Sequence, residues 1–313
     1  MTLTELRYIV AVAREKHFGR AAEKCFVSQP TLSVAVKKLE DELGVALFER
    51  SAAEVRVTAV GARVIEQAQR VLEEASAIKH IAAAGKDDLV GPLRFGAIYT
   101  VGPYVTPQLI PLLHKRAPNM PLLIQENYTA KLGEMLKNGD TDVILLSEPF
   151  HEPGIVTQAV YDEPFRVVMP ADHAWAKKSR IAAADLCGET LLLLSSGNCF
   201  RDQVLQTCAG AKRVVNAGLQ QSLEGSSLET IRQMVASGVG ITALPCTAAE
   251  SRSADTRLTV MKPFCAPEPS RRIALAWRRS FPRVRAVAAV REALLACKLP
   301  GVTLLPQAKP VDN

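Results

Sequence analysis

The spacing of apolar residues changes at Gly91-Pro92, and this change limits the architectures that the chain can adopt. Before this dipeptide, apolar side chains recur every three or four residues, which is typical of amphipathic helices. After it, short apolar runs alternate with helical segments, which indicates sheets flanked by helices. The chain has 313 residues, enough for two or three domains. We therefore predict a helical N-terminal region followed by an α/β region with parallel sheets.

Three helices joined by short turns are predicted in the N-terminal region. The second covers residues 19–25, with Cys25 facing the core. Ser28 is expected to cap the third helix, and Pro30 falls in its first turn, where a missing N–H is tolerated. A buried stripe (Leu32, Ala35, Val36, Leu39) leaves an outward face of Gln29, Thr31, Ser33, Val34, Lys37 and Lys38.

This outward face has the chemistry of a DNA-reading surface. Short polar side chains can reach base edges and lysines can pair with phosphates, and a helix-turn-helix inserts its second helix in a major groove. A three-helix bundle with a solvated polar face is the alternative that periodicity alone leaves open. The net charge of +6 and the pI of about 9.0 permit nucleic-acid binding without requiring it.

A long helix is predicted after Thr58, which can cap it. Its apolar residues are spaced as a heptad seam of Val64, Ala68, Val71, Ala75, Ile78 and Ala82. Packing of this narrow stripe on a domain is one interpretation, and pairing with a second copy is the favoured one. Such a pair would hold two DNA-binding helix-turn-helix units at a fixed separation. We therefore predict a two-fold symmetric operator on double-stranded DNA.

The N-terminal residues 19–33, 38–44 and 47–50 resemble the winged helix-turn-helix of LysR-type transcription regulators. The resemblance implies a recognition helix over 28–40, a wing over 50–57, and a C-terminal α/β regulatory region with two lobes like a periplasmic binding protein. It implies DNA contacts from Ser28, Gln29, Pro30, Thr31, Ser33, Lys37 and Arg50. The expected domains are 1–58 (winged helix-turn-helix), 59–88 (linker helix), 89–300 (lobe I 89–161 and 267–300, lobe II 162–266) and a tail over 301–313.

Seven cysteines are spread through the chain without zinc-ligand spacing, so neither a metal nor a cofactor is expected. Cys199 follows a predicted strand over 190–194 and opens a predicted helix, and a helix N-terminus and the nearby Arg201 both favour a thiolate. Cys208 lies nine residues further on. If the stretch is helical, it rises about 13 Å, whereas a disulfide needs Cα atoms within about 7 Å. Closure would therefore require unwinding. Two inert core thiols are the alternative.

The pattern Gly-x-Cys-x-Arg-Asp-Gln at 197–203, followed by Cys208, resembles the redox motif of peroxide-sensing LysR-type regulators. In those proteins the first thiol becomes a sulfenic acid and the second resolves it to a disulfide. The resemblance implies a peroxide pocket of Thr100, Thr129, Asn198 and Arg201. Asn198 stands where the family often has histidine, and residues 209–224 form a longer stretch than expected. The other cysteines of the regulatory region (Cys187, Cys246, Cys265, Cys297) are expected to be structural.

The expected function is peroxide-activated transcription regulation, with RNA polymerase and further copies of the chain, as a dimer of dimers, as partners. A LysR-type regulator that binds a small organic effector between its lobes is the alternative. A thiol peroxidase is a third hypothesis, which the lack of Cys-x-x-Cys and Thr-x-x-Cys patterns disfavours. No apolar run reaches about 18 residues, and the first segment does not look like a signal peptide, so a cytoplasmic protein without membrane contact is expected.

Overall fold

The computed structural model describes residues 1–50, 55–84, 87–207, 225–251 and 257–305. The chain divides into two compact units, Met1–Lys86 and Asp87–Asn313. The first unit contains, in chain order, α1 (Leu3–Glu15), α2 (Phe18–Lys24), α3 (Gln29–Leu43), β1 (Phe48–Arg50), β2 (Val55–Val57) and α4 (Ala59–Ala84).

The three helices predicted for the first unit are confirmed, together with the Ser28 cap of the third. Thr2 and Glu5 form a capping box at the start of α1. Ser28 caps α3, because its Oγ accepts a hydrogen bond from the Thr31 N–H at 3.3 Å, and Gly44 ends the helix in the left-handed conformation. The expected core position of Cys25 is wrong in part: its side chain is half-buried at the core edge, because the chain turns directly after it.

A two-stranded antiparallel hairpin follows the helices, with Phe48 opposite Val57, where the wing was predicted. Thr58 then caps α4, because its Oγ1 accepts from the Gly61 N–H at 2.8 Å. Gly61 is needed at this position, because a Cβ there would lie 2.3 Å from the carbonyl oxygen of Leu47. The hairpin and the first turn of α4 are therefore closely packed.

The predicted seam of α4 divides into two parts. Val64 and Ala68 pack against the core of the first unit, and Ala68 is only 3% exposed. Val71 and Ile78 are 37% and 68% exposed. Packing on a domain therefore accounts for the N-terminal half of the seam, and the exposed apolar residues lie further along the helix. The side chain of Ala82 lies outside the described residues.

The second unit is built from the remaining elements. Its helices are α5 (Gly102–Arg116), α6 (Thr129–Lys137), α7 (Cys199–Thr207), α8 (Leu228–Ala236), α9 (Cys246–Ala249) and α10 (Val284–Leu295), with 3-10 turns at Ala174–Lys177 and Ala183–Gly188. Its strands are β3 (Leu93–Ile98), β4 (Leu122–Asn127), β5 (Val143–Ser147), β6 (Ile155–Pro170), β7 (Thr242–Pro245), β8 (Thr259–Pro263), β9 (Ser270–Arg278) and β10 (Thr303–Leu304).

The sheet is mixed rather than parallel. The order of the main path is β10-β6-β9-β5-β3-β4, and β7 and β8 also pair with β6. Among the described strands, only the β3–β4 and β3–β5 pairs are parallel. The prediction of parallel sheets is therefore wrong for β6, β9 and their neighbours. Alternation of strands and helices holds for 93–147, where each crossover contains a helix. Strands β6 and β9 instead pair antiparallel, with residues 171–269 between them in the chain.

Strand β6 joins two hydrophobic cores. Its residues 155–164 pair with β9, and its residues 165–170 pair with β7 and β8. One core, here called the first lobe, surrounds β3, β5 and the N-terminal part of β6, and includes helix α6. The other, the second lobe, surrounds β7 and the C-terminal part of β6. The two-lobed α/β architecture is confirmed, while the residue boundaries given for the domains stay predictions.

Two further segments differ from expectation. The predicted strand at 190–194 makes only single bridges among the described residues, Leu191 to Ile241 and Leu194 to Gly225. Its leucines are buried in the second lobe, so the apolar run reflects burial rather than a ladder. The predicted tail begins with β10, which pairs with Tyr161 and Asp162 of β6. No helix in the described part of the chain is both long and apolar enough to cross a membrane.

Candidate functional site

Cys199 is the first residue of α7, as the sequence predicts. The turn before it is held by backbone and side-chain hydrogen bonds. Gly197 has a φ of +93°, which a side chain would strain. Asn198 Nδ2 donates to the Ser195 carbonyl at 3.3 Å, and Arg201 Nη1 donates to the Leu194 carbonyl at 2.7 Å. These contacts fix the position from which the thiol projects.

Helix α7 lies between the two lobes and presents a different face to each. Phe200 and Val204 are buried in the core of the second lobe, where the Phe200 ring packs edge-on against Phe165 with centroids 5.0 Å apart. The half-buried Cys199 packs instead against the core of the first lobe. Residues 199 and 200 therefore join α7 to both lobes.

The Cys199 sulfur lies beside Thr129. The Thr129 hydroxyl donates toward Sγ at 3.5 Å, and Thr129 is the first residue of α6. The residue before it, Tyr128, provides no side-chain cap for that helix. The sulfur is therefore close to the N-termini of both α6 and α7, where helix dipoles favour negative charge. A thiolate at this position would accept the hydroxyl hydrogen bond.

Thr100, the second predicted pocket threonine, is buried in a different network. Arg271 Nη1 donates to Thr100 Oγ1 at 2.7 Å and Nη2 donates to its carbonyl oxygen at 2.9 Å. Arg271 Nε also donates to Glu163 Oε2 at 2.8 Å, and both side chains of this pair are fully buried. The guanidinium of Arg271 lies 5.1 Å from the Phe200 ring centroid. Thr100 is thereby linked to α7 through Arg271 and Phe200.

The structure thus places Thr129 in contact with the Cys199 sulfur, while the side chains of Asn198 and Arg201 bind carbonyl groups of the turn before it. Thr100 is linked to α7 through Arg271 and Phe200. Cys208 lies outside the described residues, directly after the end of α7. Sequence reasoning missed Glu163 and Arg271. Their only signal is the strand register, in which they stand opposite each other on β6 and β9.

The other described cysteines differ from Cys199 in environment. Burial raises the pKa of the Cys246 thiol to about 12 and that of the Cys297 thiol to about 11, and it also raises the pKa of Cys25. The expectation that Cys265 is structural is wrong, because its side chain is exposed in the loop between β8 and β9. The side chain of Cys187 lies outside the described residues.

These environments predict an order of alkylation in the reduced, folded protein. Cys265 should react rapidly with iodoacetamide and Cys199 measurably, because both are accessible. Cys246 and Cys297 should remain unmodified at pH 7, because a thiol with a pKa of about 11 is ionised in only about one molecule in ten thousand. Peptide mass mapping of timed samples measures the order, with denatured protein as the control. Labelling of Cys246 at the rate of Cys265 would contradict it.

The predicted DNA-reading residues lie on and beside α3. Ser28, Gln29, Pro30, Thr31 and Lys37 are exposed, and Ser33 is half-buried. The hydroxyls of Ser28 and Thr31 lie 2.8 Å apart within the cap. The neighbouring Lys38 Nζ lies 3.5 Å from Glu5 Oε1. Arg50 ends β1, and its side chain lies outside the described residues.

Both regions match families of known proteins. The model described as "Bacterial regulatory helix-turn-helix protein, lysR family" matches residues 3–62, and the one described as "LysR substrate binding domain" matches residues 86–297. A hydrogen peroxide-inducible genes activator of Pectobacterium carotovorum subsp. carotovorum is 40% identical over 282 residues, covering 90% of this chain and 92% of the relative. The DNA-binding transcriptional dual regulator OxyR of Escherichia coli (strain K12) is 39% identical over 283 residues, covering 90% and 91%.

A solved structure is similar over the whole chain. A full-length OxyR variant from Pseudomonas aeruginosa superposes with a TM-score of 0.76 at 50% sequence identity, and the alignment covers 99% of each chain. Within the described residues, no group of three or more histidine, cysteine, aspartate or glutamate side chains could hold a metal ion.

Proposed function

The chain belongs to the LysR family of bacterial transcription regulators, and from this premise we propose that it is a hydrogen peroxide sensor that controls antioxidant genes. Its signal is the reversible formation of a Cys199–Cys208 disulfide. The observation that carries the proposal is the Cys199 sulfur at a helix N-terminus, 3.5 Å from the Thr129 hydroxyl. The similarity to a hydrogen peroxide-inducible genes activator over 90% of the chain supports it.

Two steps make up the chemistry. The Cys199 thiolate attacks one peroxide oxygen, the O–O bond breaks, and the departing hydroxide takes up a proton to leave as water. Sulfur is oxidised to sulfenic acid as peroxide is reduced. The Cys208 thiolate then attacks that sulfur, the S–O bond breaks, and a second water leaves with the disulfide. Thr129 supplies a hydrogen-bond donor to the thiolate in the first step, and Asn198 and Arg201 hold the turn that presents it.

The second step requires α7 to unwind. The helix is continuous from Cys199 to Thr207, a rise of about 12 Å at 1.5 Å per residue. Cys208 follows immediately, and a disulfide needs Cα atoms within about 7 Å. Since Phe200 is buried in the second lobe and Cys199 contacts the first, unwinding changes the contacts of α7 with both. This is the change that we propose is transmitted to the DNA-binding units.

The remaining partners follow from the same proposal. Copies of the chain pair through the exposed part of α4 and bind a two-fold symmetric operator, as a dimer of dimers that contacts RNA polymerase in the cytoplasm. Peroxide is consumed stoichiometrically rather than turned over. Footprinting on the protein's own upstream region, with and without peroxide, tests the proposal. A footprint that responds to an organic effector and not to peroxide would contradict it.

We expect the recognition helix to divide its contacts between bases and phosphates. Thr31→Ala and Ser33→Ala should each reduce discrimination between operator and unrelated DNA by about 1–3 kcal/mol, whereas Lys37→Ala should weaken binding to all DNA alike. Competition gel shifts at fixed salt measure both quantities. Lys298→Ala, an exposed lysine of the second unit, is the matched control. If both Thr31→Ala and Ser33→Ala keep the original operator preference, α3 is not the helix that recognises the operator bases.

A further inference from the structure

Gln203 lies on the same face of α7 as Cys199, because residues four apart in a helix are neighbours. Its Nε2 donates to the Ser147 Oγ at 2.9 Å. Ser147 is the buried last residue of β5 and belongs to the first lobe. The first lobe therefore contacts α7 twice along one face, through Thr129 at the first turn and through Ser147 at the second.

Only one of the two polar ends of the Gln203 amide forms a hydrogen bond. The Ser147 hydroxyl donates to the Glu148 carbonyl at 3.4 Å, so its oxygen accepts from Gln203. The other end of the amide, Gln203 Oε1, is buried and has no hydrogen-bond partner among the residues that the structure describes. A buried acceptor without a partner opposes the bond that the same side chain makes. Unwinding of α7 would expose Oε1 to water and remove the cost of burying it. This gain offsets part of the loss of the Gln203–Ser147 hydrogen bond, so the bond can be released.

We propose that Gln203 is a positioning residue that holds the second turn of α7 to the first lobe and thereby sets the rate of disulfide closure. This inference rests on the proposed function. Oxidation of Cys199 to sulfenic acid involves only its own sulfur and peroxide, so it leaves the Gln203–Ser147 bond in place. Closure onto Cys208 requires the helix to unwind, so the bond breaks in that step alone.

Ser147→Ala tests the proposal because it removes the acceptor and leaves α7 unchanged in sequence. Disulfide closure, followed by rapid mixing and acid quench, should become about 3- to 10-fold faster, the ratio that corresponds to one net hydrogen bond. Sulfenic acid formation, measured in the Cys208→Ser background, should change less than about 2-fold, since no net bond is lost there. Ser147→Thr keeps the hydroxyl and should behave as the unsubstituted protein does. In a Gln203→Met background, Ser147→Ala should have no further effect.

Hydrogen exchange of the α7 amides in the reduced protein tests the contact without any disulfide. Ser147→Ala should speed their exchange by the same factor as closure. If no Cys199–Cys208 disulfide forms in any variant, the proposed function is wrong. If Ser147→Ala leaves the hydrogen exchange of the α7 amides unchanged, the proposed role of the Gln203–Ser147 contact is wrong, whatever the disulfide does. Faster exchange with an unchanged closure rate overturns the proposal too, because the bond would then hold the helix without setting the rate.

Discussion

Cys199→Ser should abolish the response to peroxide, and Cys208→Ser should stop the reaction at the sulfenic acid. A serine hydroxyl is not ionised at neutral pH and cannot be oxidised by peroxide as a thiolate is. Without Cys208, the sulfenic acid that forms beside Thr129 has no resolving thiol. The first variant should bind operator DNA in one state only, at every peroxide concentration.

Mass mapping after stoichiometric peroxide measures both outcomes, with a carbon nucleophile to trap sulfenic acid. Cys265→Ser is the matched control, because its exposed thiol can be oxidised without belonging to the site. That variant should retain the full response. If a Cys199–Cys208 disulfide forms while the footprint and transcription stay unchanged, the disulfide does not regulate DNA binding, although the proposed thiol chemistry still holds.

Val71→Glu should break the association between copies of the chain and with it the affinity for the operator. The side chain is 37% exposed in the single chain, and in a paired α4 it would be covered by the second copy. Leaving a charge unpaired in an interface costs about 3–5 kcal/mol, which corresponds to a dissociation constant more than 100-fold higher.

Analytical ultracentrifugation of the full chain measures this loss, and gel shifts measure the operator affinity. Ala62→Glu adds the same charge at an exposed position nine residues earlier, on the opposite side of α4, and should leave association unchanged. Isolated residues 91–313 should still fold, because the second unit has its own hydrophobic cores. A dimer of the Val71 variant with unchanged stability would remove the seam from the interface.

Features that depend on neighbouring residues could be predicted from the sequence. The cap at Ser28 and the start of α7 at Cys199 both carry local signals, namely a short polar side chain before an apolar stripe and a glycine turn before a helix. The length and burial of α4 could be predicted only in part. Its apolar spacing does not distinguish Ala68, which packs on its own unit, from Ile78, which is exposed.

Features that depend on pairing between distant residues could not be predicted. Strand β6 contains polar residues where it passes between lobes, so only its last part has the apolar run of a buried strand. The opposition of Glu163 and Arg271 appears only once the register of β6 and β9 is known. The Gln203–Ser147 contact joins residues 56 apart in sequence, and neither position has a local pattern that indicates the other.

The short strand β10 shields a backbone edge. Residues 303–305 cover Val160, Tyr161 and Asp162 of β6, with the Leu305 N–H donating to the Val160 carbonyl at 2.9 Å. An uncovered strand edge is a template on which another chain can pair. Peptide groups that would otherwise be open to intermolecular sheet formation are thus occupied by the chain's own C-terminal segment. That segment therefore serves as protection against aggregation along this part of the strand that is common to both lobes.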